Sequence, residues 1–266
     1  MKAVVMFSGG IGSWAAARRT VAKYDDVTLL FADTLIEDPD LYRFLEEAAT
    51  DVGAPLVRIA DGRTPFEVFR DEKYLGNSRI APCSRILKQE VTRKWMTENA
   101  PNAVVILGID WTEEHRLEGA RKGWAPWIVE APMCERPLMT KPEMLSALDG
   151  CGIQRPGLYR AGFVHNNCGG GCVRAGIGQF AHLYRTRPET FAYWEEGEAD
   201  MRGLLVNNVT ILRDRTGGTT RPMTLRELRN RLAAQPALFD DEDWGGCGCF
   251  VEPEPDLVSG EGSNLP

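Results

Sequence analysis

A chain of 266 residues with 43% hydrophobic content can bury a substantial core, and no apolar run approaches the roughly 20 residues that span a bilayer, so a helical membrane protein is excluded. Lys2 is the single charge before the first apolar run and no cleavable leader pattern follows it, so the expected location is cytoplasmic, with no membrane partner. The net charge of −7 is uneven: after Arg231 there is no Lys or Arg but eight acidic residues, which leaves residues 1–231 near neutral and able to accept an anionic ligand.

In chain order, residues 3–7 form an apolar, β-prone run, followed by Ser8-Gly9-Gly10-Ile11-Gly12-Ser13 and a helix-prone segment from Trp14. Residues 27–32 predict a second buried strand ending at Asp33-Thr34. Leu41, Phe44, Leu45, Ala48 and Val52 have helical spacing across residues 40–52. A third strand is expected at 55–60, helices at 65–72 and 84–98, a fourth strand at 104–107 ending at Gly108, and a fifth at 127–131. Strands alternating with helices predict an α/β fold, a parallel five-stranded sheet with helices on both faces, whose ligands sit outside the carboxyl ends of the strands. Beyond Glu135 the pattern becomes helical and irregular, with helices expected at 137–148, 179–184 and 225–232. The expected organisation is a nucleotide-binding domain over 1–195, a helical extension over 196–235 and an acidic, Gly/Pro-rich tail over 236–266 that carries Cys247-Gly248-Cys249.

The loop at 8–13 stands at a strand-to-helix junction, where glycines let the backbone approach a ligand and the helix N-terminus offers N–H groups to an oxyanion. It lacks the lysine of a Walker loop, and its third glycine does not match the dinucleotide fingerprint. Alone it reads equally as a tight turn with Ser13 as N-cap. Asp33 at a strand end is either a polar terminator or a group for a ribose or for Mg²⁺ on phosphates. Glu113 and Arg116, three residues apart, form either a surface ion pair or, through Arg116, a phosphate clamp.

Taken in order, these segments resemble the PP-loop ATP pyrophosphatases of adenine nucleotide α-hydrolase type, and among them the phosphoadenosine phosphosulfate (PAPS) reductases. Ser8-Gly9-Gly10 with Ser13 resembles the PP-loop, Phe31-Ala32-Asp33-Thr34 the family's second strand end, Gly108-Ile109-Asp110-Trp111-Thr112-Glu113 to Arg116 the segment after the fourth strand, and residues 152–163 the approach to the Cys pair. The resemblance implies an adenine nucleotide, ATP with Mg²⁺ or PAPS as substrate, held by Ser8, Gly9, Gly10, Gly12, Ser13, Asp33, Thr34, Gly108, Asp110 and Arg116. Asp110 stands where the reductases have Arg, Leu35 where they have Gly, and their Cys-containing terminal motif is absent.

Seven cysteines, an odd number, read as ligands or reactive thiols in a reducing compartment. Cys168 and Cys172 flank three glycines, and Cys83 opens a helix, a place that favours thiolate. The resemblance groups Cys83, Cys168 and Cys172 as ligands of a [4Fe-4S] cluster. Zinc on Cys168, Cys172 and His165 is the alternative. Cys134 and Cys151 are expected as small core residues, and His115 and His182 as structural. Cys247 and Cys249 are expected as a catalytic thiol pair, with Trp244 and Phe250 docking their arm.

The functional expectation is an ATP-dependent enzyme that adenylates an acceptor and transfers sulfur, with a sulfur donor or thioredoxin-like reductant as partner. An acceptor base in tRNA or DNA would meet Arg79, Arg85, Lys88, Arg93 and Lys94, which read equally as a solvated helix face. A thiol-dependent sulfonucleotide reductase and a non-catalytic nucleotide-binding module with a structural metal are the alternatives, and the oligomeric state is left open.

Overall fold

The computed structural model describes residues 1–77, 80–215, 218–236 and 244–245. Five parallel strands form one sheet in the order β3-β2-β1-β4-β5: β1 (Lys2–Met6), β2 (Asp26–Asp33), β3 (Leu56–Ala60), β4 (Val104–Ile106) and β5 (Ile128–Glu130). All five lie where the apolar runs predict them; the central strands β1, β2 and β4 are covered on both faces and so must be apolar at nearly successive positions. In β1, Ala3 and Val5 join one core with Leu29 and Phe31, whereas Val4 and Met6 join another with Leu30 and Val105. The period-2 alternation of side chains thus supplies both faces of the sheet.

Helices α1 (Ile11–Val21) and α2 (Pro39–Val52) cover the first face. Pro at the first helical position and an Asp38 side chain accepting from the Asp40 N–H start α2, and Gly53 in the left-handed region ends it. After α3 (Pro65–Asp71), the helix expected at 84–98 divides into α4 (Pro82–Ser84), a π-helical stretch Arg85–Glu90 and α5 (Val91–Asn99). From there α5 and α6 (Leu117–Trp124) cover the second face, while α7 (Lys141–Gly150), opened by a Thr140–Glu143 capping box, packs beside α1.

The remaining chain builds a third core that sequence periodicity resolved poorly. It contains α8 (Gly157–Arg160), α9 (Ile177–Thr186), α10 (Pro188–Leu205), the antiparallel pair β6 (Leu212–Asp214) and β7 (Arg221–Met223), and α11 (Leu225–Ala234). Phe66 and Phe69 of α3 pack into it with Phe180, Phe191 and Trp194, and α10 runs through residue 195. Buried Glu198 accepts from the Ile211 N–H at 2.9 Å and the Leu225 N–H at 2.7 Å, tying α10 to both β6 and α11.

The two loops leaving β1 and β4 meet backbone to backbone. A Cβ on Gly12 would lie 2.7 Å from the Gly108 carbonyl oxygen, and one on Gly108 would lie 2.7 Å from the Ser13 nitrogen. Gly108→Ala is therefore expected to destabilise the protein by about 1–3 kcal/mol, since backbone rather than a pliant side chain must yield. Gly203→Ala in α10, where a Cβ meets nothing within 4 Å, is expected to stabilise it by about 0.5–1 kcal/mol. Urea unfolding of both variants distinguishes the two outcomes.

Candidate functional site

The strand order reverses direction between β1 and β4, and a crevice opens outside the carboxyl ends of strands at such a point. Here it is a cavity of about 430 Å³. Its floor is the first loop, with Ser8, Gly10, Gly12 and Ser13, and one wall is the second, with Gly108, Asp110 and Arg116. The facing wall comes from Thr140 and Lys141 at the start of α7, Tyr159 of α8, and His165-Asn166-Asn167.

Gly10 is the N-cap of α1 and offers no side chain, while the Ser13 hydroxyl donates back to the Gly10 carbonyl at 2.8 Å. The first turn of α1 holds no acidic residue, so the positive end of its dipole is not neutralised within the helix. The Gly10 N–H faces Ser8 Oγ at 3.4 Å and the Ile11 N–H donates to Tyr159 Oη at 3.2 Å. Lys141 lies 5.0 Å above the Tyr159 ring and donates to the Val164 carbonyl. Asp110 caps the 3₁₀ turn Trp111–Arg116 through the Thr112 N–H at 2.8 Å. Arg116 forms the ion pair with Glu113 and also borders the cavity.

Three of the expected nucleotide residues do not border this cavity. Gly9, with φ +75°, packs against Leu41 and directs its carbonyl to Asn166. Asp33 is fully buried, accepting from Tyr42 Oη at 3.1 Å and the Leu35 N–H at 2.8 Å and pairing with Arg58. Thr34 donates to Glu37 at 2.9 Å and borders a second, smaller cavity.

That second cavity, of about 20 Å³, brings Cys83, Cys168 and Cys172 together beside Lys88. Cys168, Gly169 and Gly170 have φ of 51°, 61° and 91°, and a Cβ on Gly171 would fall 2.0 Å from Trp194 Nε1, so close packing rather than flexibility requires glycine there. The hydrogen bond shared with Cys172, followed by burial, pushes the Cys168 thiol well above its ordinary value. Its backbone N–H donates to Glu37, a buried carboxyl raised chiefly by desolvation. Among the described residues no group of three or more His, Cys, Asp or Glu side chains is arranged as a metal-ion site. Three thiols bordering one space nevertheless have the donor chemistry of thiolate ligation.

His165, considered above as a zinc ligand, borders the large cavity and not the thiol cavity. Cys134 is partly buried, with a thiol pushed up to about 11 mainly by desolvation, but Cys151 is exposed and contacts Arg18, contrary to the core expectation. His182 is held structurally between the Ala161 carbonyl and the rings of Phe163 and Trp244, and His115 is exposed. Cys247 and Cys249 lie outside the described residues. Trp244, however, packs 4.9 Å from His182 and accepts from the Gly176 N–H at 2.9 Å, and Gly245 bridges to Ala175, just beyond Cys172.

Lys141, Tyr159, Asn166 and Glu37 are not singled out by residue pattern. Lys88 is read above either as a contact to nucleic-acid phosphates or as part of a solvated helix face. It is instead buried, bordering both cavities with Nζ 3.8 Å from Glu37 Oε1, and it lies within the π-helical stretch, a local widening that often accompanies function. From the same basic group, Arg85 pairs with Glu72 and Glu90, Arg93 lies over Trp124 and Trp127, and Arg79 is outside the described residues. Among the described residues no helix is long and apolar enough to cross a membrane.

No protein-family model matches the sequence, and no curated protein matches it. Among solved structures the chain is similar to the PAPS reductase from Candida auris in its phosphate complex, at 15% identity and a TM-score of 0.44, over 62% of this chain and 80% of that one.

Burial, followed by the charges of Lys141 and Arg116, pulls His165 from its ordinary 6.5 down to about 4. The folded-state value is depressed, so the unfolded chain takes up the proton first, and stability present at neutral pH is lost as pH falls through this window. Between pH 7 and pH 5 the expected contribution is about 2 kcal/mol. His165→Gln should remove that part of the decline, which urea unfolding at the two pH values measures.

Proposed function

We propose that the chain is an ATP-dependent PP-loop enzyme that adenylates an acceptor and passes sulfur to it. One observation carries this reading: the cavity at the β1/β4 reversal has the acid-free N-terminus of α1 as its floor and Lys88, Arg116 and Lys141 on its walls. Backbone N–H groups and fixed cations around one cavity suit a polyphosphate, whose charge they neutralise without covalent chemistry.

In this mechanism the loop at 8–13 grips the β- and γ-phosphates as the leaving pyrophosphate. Lys88, Arg116 and Lys141 stabilise the charge that develops as an acceptor oxygen attacks the α-phosphorus and the α–β bond breaks. Asp110 and Glu113, the carboxylates bordering the cavity, would hold Mg²⁺ on the phosphates. A sulfur nucleophile then displaces AMP from the adenylated acceptor.

Cys83, Cys168 and Cys172 would hold an iron–sulfur cluster with one iron unligated by them, and the chemistry it would supply is binding or redox handling of sulfur. Zinc on the same thiols is the alternative. Lys88 lies where it can act on both cavities, and the buried Glu37 beside it fixes the Cys168 amide. Cys247 and Cys249, two and four residues beyond Gly245 in the sequence, are assigned as the sulfur carriers. A nucleobase of tRNA or DNA is one acceptor class, with an external sulfur donor or thioredoxin-like protein completing the cycle. If PAPS is the substrate instead, the same cavity serves a sulfonucleotide reductase.

A Cβ at Gly10 would stand 3.5 Å from Ser8 Oγ and 3.6 Å from Tyr159 Oη, in ordinary contact, so a larger side chain extends into the ligand's space without straining the loop. Gly10→Val is expected to weaken ATP binding by more than about tenfold at an unchanged unfolding midpoint, as calorimetry would show. Equal ATP affinity in the folded variant would remove the basis of this assignment. Pyrophosphate release from ATP supports the adenylation reading, whereas sulfite release from PAPS assigns the reductase. Anaerobically purified protein is expected to contain iron and acid-labile sulfide, both lost in Cys168→Ala. Stoichiometric zinc without sulfide would replace the cluster with a structural ion.

A further inference from the structure

We infer that Asn166 is the positioning residue of the phosphate seat: its side-chain amide locks the Gly9–Gly10 peptide with the carbonyl turned aside and the N–H presented to the ligand. This rests on the nucleotide reading above and adds the group that sets the polarity of the loop.

Asn166 Nδ2 donates to the Gly9 carbonyl at 2.8 Å in a buried setting, across 157 residues of sequence. A carbonyl can be met only by the amide nitrogen, so the orientation of this side chain follows from its partner. In a planar trans peptide the C=O and the following N–H point in opposite directions. Holding the Gly9 oxygen toward Asn166 therefore sends the Gly10 N–H the other way, to the side of Ser8, whose Oγ it meets at 3.4 Å, the long end of the hydrogen-bonding range. Ser8 and Gly10 border the large cavity and Gly9 does not, so the positive end of this peptide is the one available to an anion.

The lock matters because neither flanking residue has a Cβ. Gly9 is in the left-handed region at φ +75° and Gly10 is extended, so little in the loop itself resists rotation of the peptide between them. The rotated peptide would aim a carbonyl oxygen at the phosphate. Asn166 is 4% exposed, borders the same cavity together with His165 and Asn167, and is followed two residues on by the Cys168 N–H that Glu37 holds. A buried donor spent on one carbonyl of a phosphate loop has a consequence that simple packing lacks, because its loss should be felt by phosphates and not by the rest of the nucleotide.

The experiment measures binding of inorganic pyrophosphate, ATP and adenosine by calorimetry to the full chain and to Asn166→Ala, Asn166→Asp and Asn166→His. Asp has nearly the shape of Asn but as a carboxylate cannot donate, whereas His retains an N–H. Pyrophosphate and ATP affinities are expected to fall about tenfold in the Ala and Asp variants, with partial recovery in the His variant and unchanged adenosine affinity. In ¹⁵N-labelled protein the Gly10 amide resonance should shift on adding pyrophosphate to the wild type and stay in place in Asn166→Ala. Wild-type pyrophosphate affinity in a folded Asn166→Ala variant overturns the inference, as does a lowered unfolding midpoint with ligand affinities intact, the signature of packing alone. Failure of the wild type to bind any of the three probes would defeat the nucleotide reading itself. Binding by the wild type with undiminished affinities in the variants leaves that reading in place and defeats only the role of Asn166.

Discussion

The backbones of Gly12 and Gly108 are in contact, and the placing of every other group in the large cavity depends on that approach. One glycine lies in the first turn of α1, just after the loop that leaves β1, and the other in the loop after β4, strands that are neighbours in space though about a hundred residues apart in sequence. With a side chain on either, the loops would part, the Asp110–Arg116 wall would recede from the N-terminus of α1, and cations and N–H groups would no longer share one volume. The sheet supplies rigidity for this contact, because β1 is buried on both faces and pairs with β2 and β4 along its length.

Around that contact the charges divide between two compartments. The large cavity gathers Arg116, Lys141 and Lys88 over a helix N-terminus, whereas the small one gathers three thiols. Lys88 belongs to both, and its burial beside Glu37 has a cost that pairing reduces only in part, since taking two charges out of water is expensive. A buried ion pair of this kind is weak support for stability, which favours the view that it is retained for what it does at the junction of the compartments.

Much of the sheet was readable from the sequence because a strand buried on both faces has nowhere to place polar groups, so residues 3–7, 27–32 and 104–107 are unmistakably apolar. The loops carrying Ser8 to Ser13 and Gly108 to Arg116 were readable for the related reason that they follow those strands directly. Lys88 was not, since its inward placement depends on the π-helical widening of residues 85–90, and a 3.6-residue period cannot register that. Asn166 and Tyr159 were not readable either: their partners lie 157 and 148 residues away, and such pairings leave no local pattern. Asp33 was singled out for its place at a strand end, yet Arg58 on the neighbouring strand and Tyr42 on α2 engage it instead. The hairpin β6–β7 and the length of α10 were missed because two buried carboxylates, Glu198 and Asp214, organise that region, and an acid in a sequence ordinarily signals solvent.

The short segment from Asn166 to Cys168 spans the two compartments, with the loop at 8–13 fastened at one end and a thiol of the small cavity at the other. So short a covalent span acts as a lever arm. A group that binds Cys168 and shifts this segment so as to change the affinity of the large cavity for its ligand would, by thermodynamic reciprocity, have its own affinity changed by that ligand by the same factor. A displacement worth about 1.4 kcal/mol would make each ligand tenfold sensitive to the other. The order in which the two compartments fill would then be set within the fold, by three residues of backbone, and not by the relative abundance of their ligands.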